Sequence, residues 1–166
     1  VASGPALLNG GEDIGFIDVP GKLIPEWVGV RNRPSASAAH RYTIDRHMVE
    51  VVTRLGRETP SGGRYDDRHY EALLLAGSLH DIGKRPGVAN HAAEGARHAT
   101  VVVERMGFDR DIVRWVTLLV REHLTLSEFA TGRNPNDPNV GDDLAGRLDH
   151  NPVLLDMLFD LTRADG

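Results

Sequence analysis

The chain has 166 residues and a formal net charge of −5, so its length suits one domain with a sizeable core and its charge gives no general attraction to nucleic acid or to anionic membranes. It contains no cysteine, which excludes disulfides, cysteine-based zinc sites and thiol nucleophiles. No signal peptide or long apolar stretch is visible in the sequence, so we expect a cytoplasmic protein that does not span a membrane.

The first part of the chain contains many glycines and prolines between short apolar pieces. It predicts an extended or partly helical N-terminal arm, 1–39, that packs Trp27 onto the rest of the protein. Beyond it, apolar residues recur with helical spacing, and no run alternates in the manner of a strand. The predicted helices cover 41–57, 67–83, 91–106, 109–122, 142–149 and 152–164. Asn90 and Asp109 suit the N-cap positions of the third and fourth helices. The sequence therefore predicts an all-α fold, with a single helical domain at 40–166.

The adjacent pair His80-Asp81 is the most informative feature of the sequence. It follows the apolar run 72–76 in a predicted helix that is apolar on every side, and such helices are normally buried. A buried imidazole beside a buried carboxylate is unfavourable unless something compensates both groups. A divalent cation bound by His80 and Asp81 would do so, and the pair therefore predicts the centre of a metal site.

Two further histidines lie on apolar faces of other predicted helices, because residues three, four or seven apart share a face. His47 lies in line with Ile44 and Val51, and His123, if the fourth helix reaches it, continues the row of Val116, Leu119 and Val120. His40, seven residues before His47, is a candidate to hydrogen-bond a ligand. For each of His47, His80 and His123 alone, a core histidine bonded to a neighbour is the better explanation. These three histidines together with the buried Asp81 favour shared metal ligation.

The last predicted helix carries three aspartates that point in different directions. Asp165 shares the apolar face with Leu154, Leu158 and Leu161, and we expect it to point inward as a further ligand. Asp156 and Asp160 are expected to face solvent. The alternative for Asp165 is a frayed, solvated acid next to the C-terminal residue.

Nitrogen and oxygen donors alone suit manganese, magnesium, iron, cobalt or zinc, and the donor set does not distinguish these ions. His91 and His123 could add enough ligands for a second ion. His91 opens a predicted helix just after the loop that follows Asp81, so we prefer it to His98 as a residue that faces the site. Lys84 suits a contact to a phosphate group, and a solvated lysine at a helix end is an equal alternative.

The order of these residues on predicted helices resembles the HD-domain superfamily of metal-dependent phosphohydrolases, across residues 40–166. Within that superfamily the sequence is similar to the HD domain of the bifunctional uridylyltransferase/uridylyl-removing enzymes, which modify the PII nitrogen-signalling protein. The similarity lies in five stretches, 40–47, 79–84, 91–96, 120–124 and 161–165.

The resemblance implies a hydrolytic enzyme that removes a nucleotidyl group, UMP or AMP, from a tyrosine of PII with the help of a divalent metal ion. Carried over by position, the metal ligands would be His47, His80, Asp81 and Asp165. The residues expected to take part in catalysis are Asp81, Lys84, His91 and His123. The nucleotidyltransferase and ACT domains that flank the HD domain in those enzymes find no counterpart in this sequence.

One residue departs from the family pattern, since Glu122 stands where a second histidine beside His123 would be familiar. This departure weakens the case for a second ion. Two other functions remain open from the sequence, because metal ligands do not identify the ester that is cut. The chain could act on a free nucleotide or a cyclic dinucleotide, or it could be a non-catalytic binding module whose metal is structural.

Overall fold

The computed structural model describes residues 24–34 and 43–166. This part of the chain has a short 3-10 helix at Pro25–Gly29, seven α-helices and no β-strand. The α-helices are α1 (Ile44–Glu58), α2 (Asp67–Leu79), α3 (His91–Arg105), α4 (Arg110–Glu122), α5 (Thr125–Gly132), α6 (Pro138–Arg147) and α7 (Pro152–Asp165). The all-α prediction is confirmed. No helix among the described residues is long and apolar enough to cross a membrane.

Helix α2 lies at the centre of the fold and packs against α1, α3, α4 and α7. Its buried side chains are Ala72, Leu73, Leu74, Ala76, Gly77 and Leu79, which together cover several sides of the helix. Burying one leucine side chain contributes roughly 1.5–3 kcal/mol relative to leaving it exposed. This central position explains the apolar run in the sequence, and it carries the residues that follow α2 into the interior.

Polar side chains fix where the main helices begin. Asp66, Asn90 and Asp109 each accept a hydrogen bond from a backbone N–H in the first turn of α2, α3 and α4, respectively, which satisfies a donor that the helix itself leaves unpaired. The N-caps predicted at Asn90 and Asp109 are therefore correct. The cap at Asn90 makes His91 the first residue of α3.

The helix predicted at 67–83 is too long, because α2 ends at Leu79. His80 is its C-cap, and the chain then turns tightly, with the Lys84 N–H donating to the Asp81 carbonyl at 2.9 Å. Over four residues, apolar spacing does not distinguish a helical turn from a turn of this kind. The early end leaves the His80-Asp81 pair projecting from the tip of the central helix.

Two helices lie where the sequence predicts a loop or a later start. The sequence does not predict α5, and α6 begins at Pro138 instead of residue 142. Thr125 is the buried residue of α5, and α6 has no buried residue. Such exposed helices lack the apolar stripe by which a helix is recognised. The signal that was missed is Asp137 as N-cap before a proline at the first helical position.

Residues 24–34 pack against the helices. The side chains buried in the common hydrophobic cluster are Ile24, Trp27 and Val30. Arg105 of α3 donates two hydrogen bonds, at 3.0 and 2.7 Å, to the Glu26 carboxylate. The remaining residues of the predicted arm lie outside the described part of the chain, and so does His40.

Candidate metal centre

Three donor atoms from three elements meet beyond the C-terminal end of α2. Nε2 of His47 in α1 lies 2.7 Å from Oδ1 of Asp165 in α7, and Nε2 of His80 lies 3.3 Å from the same oxygen. All three atoms lie within 4.8 Å of one another. Ligand atoms about 2.1 Å from one ion are at most about 4.2 Å apart, so this first donor group has nearly the dimensions of a single coordination shell.

A second donor group lies beside the first. Oδ1 of Asp81 is 3.7 Å from Nε2 of His91, the first residue of α3, and 3.5 Å from Nε2 of His123, the C-cap of α4. These atoms also lie within 4.8 Å of one another. The two donor groups together contain every residue that the sequence predicts as a metal ligand, and His91 and His123 in addition.

The Asp81 carboxylate stands between the two donor groups. Its Oδ2 lies 3.6 Å from Nε2 of His80 and 4.0 Å from Nε2 of His47, whereas its Oδ1 faces the second group. The rings of His80 and His123 are 5.3 Å apart between centroids. One carboxylate with an oxygen toward each group is an arrangement that could bridge two ions.

Backbone carbonyls fix the orientation of the two most buried imidazoles. Nδ1 of His80 lies 2.8 Å from the Gly77 carbonyl, and Nδ1 of His123 lies 2.7 Å from the Val120 carbonyl. Because a carbonyl only accepts, each Nδ1 must carry a proton and donate it. In a neutral ring, Nε2 is then an unprotonated acceptor. This is the usual way in which a metal-binding histidine is held in the correct tautomer.

Four buried atoms at the centre have no hydrogen-bond partner among the described residues. They are Oδ1 of Asp81 and the Nε2 atoms of His80, His91 and His123. A buried polar atom without a partner costs roughly 1–3 kcal/mol. Burial lowers the pKa of His80, but Asp81 and Asp165 outweigh burial and raise it, so without a cation this imidazole tends to hold a second proton. A divalent cation at each donor group would replace that proton and give all four atoms a partner. The residues therefore fit the metal ion that the sequence predicts.

The protonation states of the acids suit ligation. Burial raises the pKa of Asp81, but the charge of His80 and of weaker cationic neighbours outweighs it, and the pKa of Asp81 lies well below its usual range. Burial likewise raises the pKa of Asp165, but the contacts of its Oδ1 with Nε2 of His47 and of His80 outweigh burial, and the pKa of Asp165 also lies well below its usual range. Both carboxyl groups are therefore ionised at neutral pH. Burial lowers the pKa of His91, which favours its neutral, ligating form.

One side of the centre is open to solvent. The side chains there are Lys84, His91 and Asp165, which are 23%, 26% and 21% exposed. The opposite side is closed, because His80, Asp81 and His123 are buried. Nζ of Lys84 lies 2.7 Å from Oδ2 of Asp81. The centre is therefore accessible to solvent from the side of Lys84 and His91.

A close backbone contact joins the loop after Asp81 to helix α3. A Cβ atom at Gly83 would overlap the His91 carbonyl oxygen and the Gly95 amide nitrogen, and it would lie 2.9 Å from the Gly95 Cα. Only glycine allows two backbones to approach so closely. This contact places Asp81 beside His91. Sequence reasoning missed it, although glycines at 83 and 95 were its visible signal.

The other histidines of α2 and α3 lie away from the two donor groups. Nε2 of His98 lies 3.0 Å from Oε1 of Glu94, and His98 belongs to neither group. The His69 ring stacks on Trp115 with 4.1 Å between centroids. The preference for His91 over His98 as a residue facing the site agrees with this geometry.

The expectation that Asp160 faces solvent is wrong. Asp160 is buried and accepts a hydrogen bond of 2.6 Å from the Tyr65 hydroxyl, with a second bond from Arg64. The segment before α2 covers this side of α7, which the helical pattern of α7 alone does not reveal. Asp156 is exposed, as expected.

Glu122 points into a separate network. Its Oε2 accepts a hydrogen bond of 2.6 Å from the Thr125 hydroxyl and one of 3.3 Å from Arg147 in α6. The residue is buried and ties α5 and α6 to the end of α4. The three donor atoms of the second group come together without a histidine at this position.

Curated relatives match almost the whole of this chain. It is 34% identical over 165 residues to the bifunctional uridylyltransferase/uridylyl-removing enzyme of Mycobacterium tuberculosis strain H37Rv. The aligned region covers 99% of this chain and 20% of that protein. The enzymes of the same name from Streptomyces coelicolor and Caulobacter vibrioides are 39% identical over 145 residues and 36% identical over 159 residues. They cover 87% and 89% of this chain, and each is matched over 16% of its own length.

The chain thus spans about a fifth or less of the length of these relatives. The resemblance to the uridylyl-removing enzymes that the sequence motifs predict is confirmed. No family model matches the chain, and no solved structure matches it.

Proposed function

We propose that this chain is a metal-dependent phosphodiesterase that removes a nucleotidyl group, UMP or AMP, from a tyrosine of a PII-type signalling protein. The observation that carries the proposal is the pair of neighbouring donor groups: the second contains the buried, ionised Asp81, and the other oxygen of this carboxylate lies 3.6 and 4.0 Å from the two histidines of the first. The names of the relatives, which include uridylyl removal, support the reaction class. The PII substrate comes from the family resemblance of the sequence motifs.

The ligands divide between two ions in this proposal. His47, His80 and Asp165, with Oδ2 of Asp81, would hold the first ion, and Oδ1 of Asp81 with His91 and His123 would hold the second. Manganese, iron, cobalt and zinc suit these nitrogen and oxygen donors, and magnesium suits them less well. When bound, such ions lower the pKa of water and offset the charge of a phosphate group.

The side chains at the opening have two tasks in this reaction. The ammonium of Lys84 offsets negative charge on a non-bridging phosphate oxygen, and the partly exposed His91 limits how the phosphate is oriented. The leaving group needs little help, because the phenol of tyrosine has a pKa of about 10 and departs more easily than an aliphatic alcohol. The protein therefore has to bind the phosphate and keep Asp81 ionised, and it does not have to protonate the leaving oxygen strongly.

Replacing Asp81 tests the proposal most directly. Asp81→Ala removes both carboxylate oxygens, of which Oδ2 faces the first donor group and Oδ1 faces the second. Bound metal and hydrolysis of nucleotidylated PII should therefore both be lost. Asp156→Ala removes an exposed acid of α7 and should leave both unchanged. Metal content is measured by elemental analysis, and hydrolysis is measured with added Mn²⁺. Full activity in Asp81→Ala would overturn the proposal.

The same assay distinguishes the other functions that the sequence leaves open. Hydrolysis of a free nucleotide or a cyclic dinucleotide, without action on nucleotidylated PII, would assign the chain to another ester. Retained metal with no hydrolysis of any of these substrates would identify a binding module with a structural ion.

A further inference from the structure

Lys84 already contacts the oxygen that the first ion would use. Its Nζ lies 2.7 Å from Oδ2 of Asp81, and this is the oxygen that faces His80 and His47 at 3.6 and 4.0 Å. An ammonium and a divalent ion on one carboxylate oxygen would repel each other strongly, because a buried site screens charge poorly.

The two side chains differ in their freedom to move. Asp81 is buried and held by the backbone contact between Gly83 and Gly95. Lys84 has a flexible four-carbon stem and is 23% exposed at the open side. If one partner of the pair gives way to an ion, it is therefore Lys84.

We propose that Lys84 is an internal counter-cation that competes with the metal ion for Asp81. It leaves Oδ2 when the ion binds, and its ammonium then becomes free to contact the phosphate of the substrate. This inference rests on the proposed metal-dependent function. It has two consequences: Lys84 weakens metal binding, and the metal binds before the substrate obtains its lysine contact.

The first consequence is tested by measuring the Kd for Mn²⁺ by calorimetry. Lys84→Met keeps most of the aliphatic stem and removes the charge, so Mn²⁺ should bind about tenfold more tightly, a change of ~1.4 kcal/mol. Lys84→Arg keeps the charge and should stay within about twofold of the wild type, since the competing cation is still present. Unchanged or weaker binding in Lys84→Met would overturn the proposal.

A charge control separates this local effect from the net charge of the protein. Arg57→Met removes one positive charge at an exposed position of α1, about 15 Å along the helix from His47. It should leave the Kd for Mn²⁺ within about twofold of the wild type. A tenfold gain in this variant as well would mean that overall charge, not the contact with Asp81, governs the affinity.

The second consequence is tested by chemical labelling. The sequence contains two lysines, Lys22 and Lys84, so Lys84 is the sole lysine in a Lys22→Arg variant. Its acetylation by an amine-reactive ester, followed by peptide mass spectrometry, should become several-fold faster when Mn²⁺ is added, because the ammonium leaves Asp81. An equal or slower rate would show that Lys84 stays on Asp81 and would overturn the proposal.

The outcome also shows which of the two proposals fails. A wild-type protein that binds no Mn²⁺ would overturn both of them. A wild-type protein that binds Mn²⁺ and hydrolyses nucleotidylated PII, with no gain of affinity in Lys84→Met, would overturn only the role of Lys84.

Discussion

Replacing Gly83 with alanine should destabilise the protein and weaken metal binding at the second donor group. The new Cβ would overlap the His91 carbonyl oxygen and the Gly95 amide nitrogen and lie 2.9 Å from the Gly95 Cα. These are backbone atoms, which cannot rotate away, and carbon atoms prefer a separation of about 3.5–4.0 Å. Overpacking of this kind costs about 1–3 kcal/mol. The shift that relieves it would move Asp81 away from His91 and His123.

Thermal unfolding in the presence of a chelator measures the packing effect separately from metal binding. For a chain of this length, a loss of 1–3 kcal/mol corresponds to a fall in Tm of roughly 2–12 °C. Gly56→Ala is the matched control, because its added Cβ in the exposed part of α1 would meet no atom within 4 Å apart from its chain neighbours and the backbone of its own helix. Alanine in a helix is about 0.5–1 kcal/mol more favourable than glycine, so this variant should unfold at a higher temperature.

Metal content completes the test. After incubation with Mn²⁺ and removal of the free ion, Gly83→Ala should retain less metal per chain than the wild type, and Gly56→Ala should retain as much. If Gly83→Ala melts at the wild-type temperature and binds the full amount of metal, the reasoning about the close contact with α3 is refuted.

Three further outcomes follow from the structure. Tyr65→Phe removes a hydrogen bond to the buried Asp160 and should lower the free energy of unfolding by about 1–3 kcal/mol. Urea denaturation measures this loss, with Tyr70→Phe as the control, and an unchanged midpoint would contradict the burial of this network. His91→Ala should reduce bound metal by elemental analysis and His98→Ala should not, and equal losses would contradict the position of His98 outside both donor groups. Addition of a chelator should lower Tm and Mn²⁺ should restore it, because an ion that binds only the folded state stabilises it by about 2.7 kcal/mol at 100 times its Kd; a constant Tm would argue against a bound ion.

The sequence predicts which of these side chains lie together better than it predicts the boundaries of the helices. Helical phase alone directs His47 and Asp165 toward the interior, because both lie on continuous apolar stripes. The donor atoms of both residues do belong to the first donor group. The sequence does not reveal that α2 ends at Leu79, since the turn that follows is fixed by packing against α3. Local spacing carries no information about such a distant backbone contact.

Asp160 shows the limit of reading one helix at a time. The pattern of α7 directs this residue toward solvent, and that would be correct for an isolated helix. Its partner Tyr65 lies 95 positions earlier in the chain, where no property of α7 predicts it. The side of a helix opposite its apolar stripe is exposed only when no other segment covers it.

The contact of residues 24–34 with the helices affects where a fragment of this protein should begin when it is expressed. Arg85, in the loop just beyond the metal centre, donates a hydrogen bond of 2.6 Å to the Glu26 carbonyl. A gene fragment that starts at residue 40, where the helical pattern begins, would discard that anchor together with the indole ring of Trp27. Such a fragment would expose the apolar surface that Trp27 covers and release a loop that begins with residues of the candidate metal centre. The smallest useful expression unit therefore starts upstream of Ile24.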